Sequence, residues 1–150
     1  MKILVTGGTG YIGSHTVVEL QKTGHEVIIV DNLSNSTIEV LDQITKITGI
    51  RPAFEKIDLA DTWASEAFFC KIKDIDAVIH FAAFKAVGES VHEPLKYYSN
   101  NIMSLVNVLN CMKTNGIRNL VFSSSCTVYG QPDVLPVTEE APVKKAFSPN

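Results

Sequence analysis

The sequence predicts an α/β domain built on a doubly wound parallel sheet. Three observations carry this. Short β-branched runs alternate with segments of helical period along most of the chain, the first run ends in a glycine-rich turn, and an acidic residue closes the second run. With 150 residues, 45% apolar and 19% charged, the chain is long enough for one domain with a core and too apolar for a disordered one.

The elements follow in order. Lys2-Ile3-Leu4-Val5-Thr6 is an apolar run that stops at glycines, the mark of a buried parallel strand. From Ile12 to about Lys22 the apolar positions Ile12, Val17, Val18 and Leu20 suit a helix that Gly24 ends. Glu26-Val27-Ile28-Ile29-Val30 is a second strand, closed by Asp31. Strand, turn, helix and strand thus fill about 30 residues, the size of one βαβ unit. Asn32 to Ser36 is a polar loop, and Thr37 to about Thr48 a helix closed by Gly49. A third strand is expected over Pro52–Ile57, and a helix over Asp61 to about Ile72 with Trp63, Ala67 and Phe68 turned inward. Ile75–Phe81 reads as a fourth strand, about Pro94 to Thr114 as a long helix stopped by Asn115-Gly116, and Asn119–Ser123 as a fifth strand. From Gln131 to Asn150, four prolines (Pro132, Pro136, Pro142 and Pro149) and no clean period predict a loop. Right-handed crossovers make 3-2-1-4-5 the expected strand order, with a crevice between the first and fourth strands.

Gly7, Gly10 and Gly13 recur at every third position in Thr6-Gly7-Gly8-Thr9-Gly10-Tyr11-Ile12-Gly13. Between a strand and a helix, glycines permit a tight turn, let the backbone approach a pyrophosphate, and let the helix pack against the strand. The free N–H groups and dipole at the helix start attract the phosphates. The strand–turn–helix–strand context makes this a dinucleotide-binding signal. Asp31 lies 18 residues after Gly13, where a carboxylate accepts from ribose hydroxyls and repels a 2′-phosphate, which favours NAD over NADP.

Thirteen basic and 16 acidic side chains leave a net charge of -3, with no block of like charge. Neither nucleic acid nor an anionic membrane is therefore expected as a partner. Cys70, Cys111 and Cys126 form no Cys-x-x-Cys pair, and His15, His25 and His92 have no ligand spacing, so no disulfide framework or metal site is expected. His80, at the end of the fourth strand, reads as a core histidine. No secretory leader and no bilayer-length apolar run is seen, and a cytoplasmic location with reduced thiols is expected.

The glycine spacing resembles that of the extended short-chain dehydrogenase/reductase family. Four further segments are similar to the UDP-glucose (UDP-galactose) 4-epimerases within it. They are Asp31-Asn32-Leu33-Ser34-Asn35-Ser36, Phe81-Ala82-Ala83-Phe84-Lys85-Ala86-Val87-Gly88-Glu89-Ser90, Tyr97-Tyr98-Ser99-Asn100-Asn101 and Ser123-Ser124-Ser125-Cys126-Thr127-Val128-Tyr129-Gly130. The likeness covers essentially the whole chain. It implies a Rossmann-like NAD domain, with Tyr11 and Ile12 at the pyrophosphate and Asp31 to Ser36 (Asn32, Leu33, Ser34 and Asn35 between them) at the adenosine ribose. Asp58 and Leu59 would border the adenine. Phe81, Ala82, Ala83, Phe84 and Lys85 would run along the cofactor, Asn100 beside it, and Ser125 would face the reacting sugar.

The implied reaction is inversion at C4 of a UDP-hexose through a 4-keto sugar, with NAD regenerated in each cycle. The family's base is the tyrosine of a Tyr-x-x-x-Lys motif, whose lysine lowers the tyrosine pKa from the same helix face. Tyr11, Tyr97, Tyr98 and Tyr129 all lack a lysine four residues on, and Ser148-Pro149 is followed by Asn150. The resemblance therefore implies an N-terminal part, with residues 131–150 leading toward a catalytic helix, a sixth strand and a substrate domain outside these 150 residues. It implies little activity for this part alone and a homodimer for the full-length enzyme. Two alternatives stay open: another nucleotide-sugar enzyme (dehydratase, decarboxylase or uronate epimerase), and a non-catalytic dinucleotide-binding module. The outer edge of the fifth strand is expected either to drive self-association or to be covered by the Gln131–Asn150 tail.

Overall fold

The computed structural model describes residues 1–143, apart from the side chain of Cys126. The expected loop beyond residue 143, with Ser148, Pro149 and Asn150, lies outside the described residues.

Among the described residues five parallel strands form one sheet: β1 (Lys2–Thr6), β2 (Glu26–Asp31), β3 (Ala53–Lys56), β4 (Ala77–His80) and β5 (Asn119–Phe122). Their order is β3-β2-β1-β4-β5, the order the sequence predicts. β1 lies at the centre, with Leu4 opposite Ile28 on one side and Val78 on the other. Successive residues of a strand face opposite sides, so β1 and β2 each supply two cores. Ile3, Val5, Val27 and Ile29 pack with Val17 of α1 (Tyr11–Lys22) and with Leu41 and Ile44 of α2 (Val40–Thr48). Leu4, Ile28, Val30 and Val78 pack with Phe68 and Phe69 of α3 (Thr62–Lys71). Val108, Cys111 and Met112 close that second core from α5 (Pro94–Thr114).

Several local expectations change. α2 starts at Val40, after a turn at residues 38–39. In α3 the buried side chains are Ser65, Phe68 and Phe69, while Trp63 is 82% exposed and Ala67 also faces out. The apolar positions of α3 go most of the way round the helix, so its sequence does not set which face turns in. Ile12 is likewise exposed at the start of α1. A short helix not foreseen from the sequence, α4 (Val87–His92), precedes α5. Beyond β5, a 3₁₀ turn spans Cys126–Tyr129, and residues 131–143 hold turns and bends. No helix among the described residues is long and apolar enough to cross a membrane.

Candidate functional site

All five strands run in one direction, so the loops after them meet at the C-terminal edge of the sheet. There a crevice of about 370 Å³ opens between the loop after β1 and the loop after β4. The glycine turn forms its floor. Gly7 has φ +67°, and its N–H donates to Val30 O at 2.8 Å. A Cβ on Gly7 would sit 2.7 Å from Ala82 N, so glycine is needed there for both conformation and space. A Cβ on Gly13 would overlap Gly7 O, which lets the first turn of α1 lie against the loop. Gly10 caps α1 without a side chain, and the first turn carries no acidic residue. The leading N–H groups and positive helix end are thus left for an anion. Tyr11 and Ile12 stand exposed at this end, and Gly7, Gly10 and Gly13 line the crevice with them.

Asp31 is buried at the end of β2 and lines the crevice beside Asn32, Ser34 and Asn35. Its Oδ2 accepts the Thr9 N–H at 3.2 Å, and its Oδ1 accepts the Leu33 N–H at 2.9 Å. The carboxylate therefore joins the glycine turn to the second loop and keeps acceptor capacity toward the crevice. Leu33 (φ +59°) and Ser36 do not line the crevice. Ser36 supports it from behind: its Oγ lies 2.7 Å from Thr9 Oγ1 and donates to Asp31 Oδ1 at 3.4 Å.

Asp58 and Leu59 line the crevice after β3. The α3 N-cap is Asp61, which accepts the Ala64 N–H, while Asp58 Oδ1 accepts the Ala60 N–H at 2.9 Å. Phe81, Ala82, Ala83, Phe84 and Lys85 form the opposite wall, and Asn100 joins them from α5. Val30, Ile57, Ser104 and Ser123 complete the lining; Ser123 opens the hydroxyl run at the end of the fifth strand, on the ligand side of the sheet, while nothing in the sequence marks the other three. Ser125 stands apart from the crevice, as N-cap of the 3₁₀ turn. Its Oγ accepts from the Thr127 N–H at 3.3 Å and the Thr127 hydroxyl at 2.9 Å, which leaves its own proton to donate. No cluster of metal-ligating side chains occurs among the described residues.

Supporting groups were not legible in the sequence. The Thr6 hydroxyl accepts the Ala82 N–H at 3.3 Å and lies 2.9 Å from His80 Nδ1. Asn107 of α5 donates to Leu59 O at 2.9 Å and Ala60 O at 3.2 Å. Asn101 bonds the backbone of Phe84. Each acts across more than one element, so no spacing along the chain marks it.

Residues 3–150 match the NAD dependent epimerase/dehydratase family. The chain is 51% identical over 143 residues to UDP-glucose 4-epimerase of Bacillus subtilis, which covers 95% of this chain and 42% of that protein. It is 51% identical over 148 residues to the UDP-glucose 4-epimerase of Neisseria meningitidis serogroup B, covering 99% of this chain and 43% of that one. Among solved structures it superposes with a TM-score of 0.91 and 49% identity on a UDP-glucose-4-epimerase from Stenotrophomonas maltophila with bound NAD and formylated UDP-arabinopyranose. The corresponding values are 0.93 and 44% for the Bifidobacterium longum enzyme in complex with NAD+ and UDP. Each match covers 99% of this chain and 44% of the solved one. The chain thus spans less than half the length of the relatives it matches.

Proposed function

Since the chain belongs to the NAD dependent epimerase/dehydratase family, we propose that it is the NAD-binding part of a UDP-glucose 4-epimerase. The observation that carries this is the joining of an uncapped helix start and a buried carboxylate in one crevice. The α1 end at Gly10, Tyr11, Ile12 and Gly13 suits the pyrophosphate. Asp31, with its loop through Ser36, suits the adenosine ribose, and Asp58 and Leu59 border the adenine. Phe81–Lys85 and Asn100 flank the remainder of the dinucleotide.

When bound, NAD supplies the group that accepts and returns a hydride, so that UDP-glucose and UDP-galactose interconvert through a 4-keto sugar. In this reading the Ser125 hydroxyl donates to the sugar's 4-oxygen and helps to move its proton, since both Thr127 bonds end on its oxygen. The principal base is a tyrosine–lysine pair, and no tyrosine of these 150 residues has a lysine four positions on. We assign the activity to the full-length enzyme, acting as a cytoplasmic homodimer on UDP-hexoses.

Calorimetric titration with NAD and NADP tests the cofactor reading. The chain should bind NAD more tightly than NADP. Asp31→Ala should weaken NAD binding about tenfold, or ~1.4 kcal/mol, and narrow the gap between the two cofactors. Failure of the chain to bind NAD, or unchanged affinity in the variant, overturns this reading. In a coupled assay with UDP-galactose the same polypeptide should show little or no turnover. Rates like those of a complete epimerase would make the missing pair dispensable.

A further inference from the structure

Residues 81–86 belong to no helix or strand, yet five of them wall the crevice. They are held from α5. Asn101 Oδ1 accepts the Phe84 N–H at 2.8 Å, and Asn101 Nδ2 donates to Phe84 O at 3.1 Å. One planar amide thus pairs with both backbone groups of a single residue, as a neighbouring strand would. This double bond pattern fixes which way the amide faces, because the reverse orientation sets donor against donor and acceptor against acceptor. The same Oδ1 accepts from Asn100 Nδ2 at 2.9 Å. Asn100 lines the crevice. With its nitrogen drawn to Asn101, its oxygen is the amide atom left to accept from a ligand.

The Phe84 ring is held by the same helix. Tyr97, one turn before Asn101 and fully buried, sets its ring 5.7 Å from that of Phe84, and the Lys96 ammonium lies 5.2 Å from the Phe84 centroid. Both residues are anchored to α4: the Tyr97 hydroxyl donates to Glu89 Oε2 at 2.7 Å and Lys96 to Glu89 Oε1 at 2.6 Å. Backbone and ring of Phe84 are therefore bound separately, and Lys85 leaves from the residue so fixed.

We propose that Asn101 is a positioning residue of the dinucleotide site, holding the Phe84–Lys85 backbone against the crevice and turning the Asn100 amide oxygen toward the ligand. This rests on the NAD-binding reading and adds to it a side chain that does not itself line the crevice. The role requires an amide: aspartate supplies the acceptor without the donor, and leucine supplies neither.

Amide hydrogen exchange without cofactor and NAD titration, on the chain and on Asn101→Leu and Asn101→Asp, test it. In Asn101→Leu the Phe84 amide should exchange at least about tenfold faster, with Val5 and Val78 unchanged, and the NAD Kd should rise about tenfold. Asn101→Asp should keep the Phe84 amide protected and weaken NAD binding less, by about threefold. A merely structural role predicts faster exchange throughout the sheet and unchanged NAD affinity in the folded fraction, and that result overturns the proposal. Unchanged Phe84 exchange in Asn101→Leu overturns it as well. Exchange is read without NAD, so failure of the parent chain to bind NAD counts against the functional reading and leaves the clamp to be judged by exchange. If Asn101→Leu does not fold, full NAD affinity in Asn101→Asp overturns the proposal.

Discussion

His80 shows how a single residue couples the site to stability. The Thr6 hydroxyl accepts the Ala82 N–H and lies 2.9 Å from His80 Nδ1, a bond in which either group can be the donor. The other ring nitrogen, Nε2, is buried with no hydrogen-bond partner among the described residues. Burial lowers the His80 pKa from 6.5 to about 4. Between those values the unfolded chain takes up a proton that the folded one refuses, so stability is complete above about pH 6.5 and falls as pH drops toward 4. The loss reaches at most about 3 kcal/mol. Urea unfolding at a series of pH values should show this slope in the parent chain and a flatter one in His80→Gln. Parallel curves for the two proteins would remove His80 as its cause. The histidine was legible as a core residue, but its bond to Thr6 spans β1 and β4 and was not. Gly7, Gly13 and Asp31 were legible because their constraints are local: a turn, a close approach and a strand end.

At the scale of elements, long periods were readable and short ones were not. α5 runs from Pro94 to Thr114 with a proline at its start, and both its extent and its stop could be read. α4 has six residues, less than two turns, and gave no period to detect. It is held to α5 through Glu89, whose carboxylate pKa is lowered by the bonds from Lys96 and Tyr97. The inward face of α5 also holds the loop after β3. Asn107 is buried, donates to two carbonyls of that loop and accepts from the Thr62 hydroxyl at 3.1 Å. Asn107→Leu strands these partners, and we expect a loss of about 2–3 kcal/mol in urea unfolding. A loss below about 0.5 kcal/mol would mean that solvent satisfies them instead.

For the whole molecule, the informative surface is the one around β5. Among the described residues this strand pairs only with β4, and Val121 and Phe122 are 60% and 51% exposed. The described part of the tail therefore leaves them uncovered. Leu95, Ile102, Val106 and Leu109 add an exposed apolar stripe on α5. Such a combination of open edge and apolar face favours association. Sedimentation velocity should show an average mass that rises with concentration, and Val121→Lys should reduce the rise. A monomer at every concentration would contradict the expectation.

The sequence by itself determined the sheet, its strand order, the glycine turn and the acid that faces it. Each is written in contiguous residues, as a period, a turn or the end of a run, and right-handed connection leaves few ways to join them. The tertiary structure alone decided which face of α3 turns inward, that α4 forms, and that Thr6, Asn101 and Asn107 hold the crevice loops. Those outcomes depend on hydrogen bonds and packing between residues far apart in the chain. A polar side chain on a helix carries no local mark of the loop whose backbone it will meet.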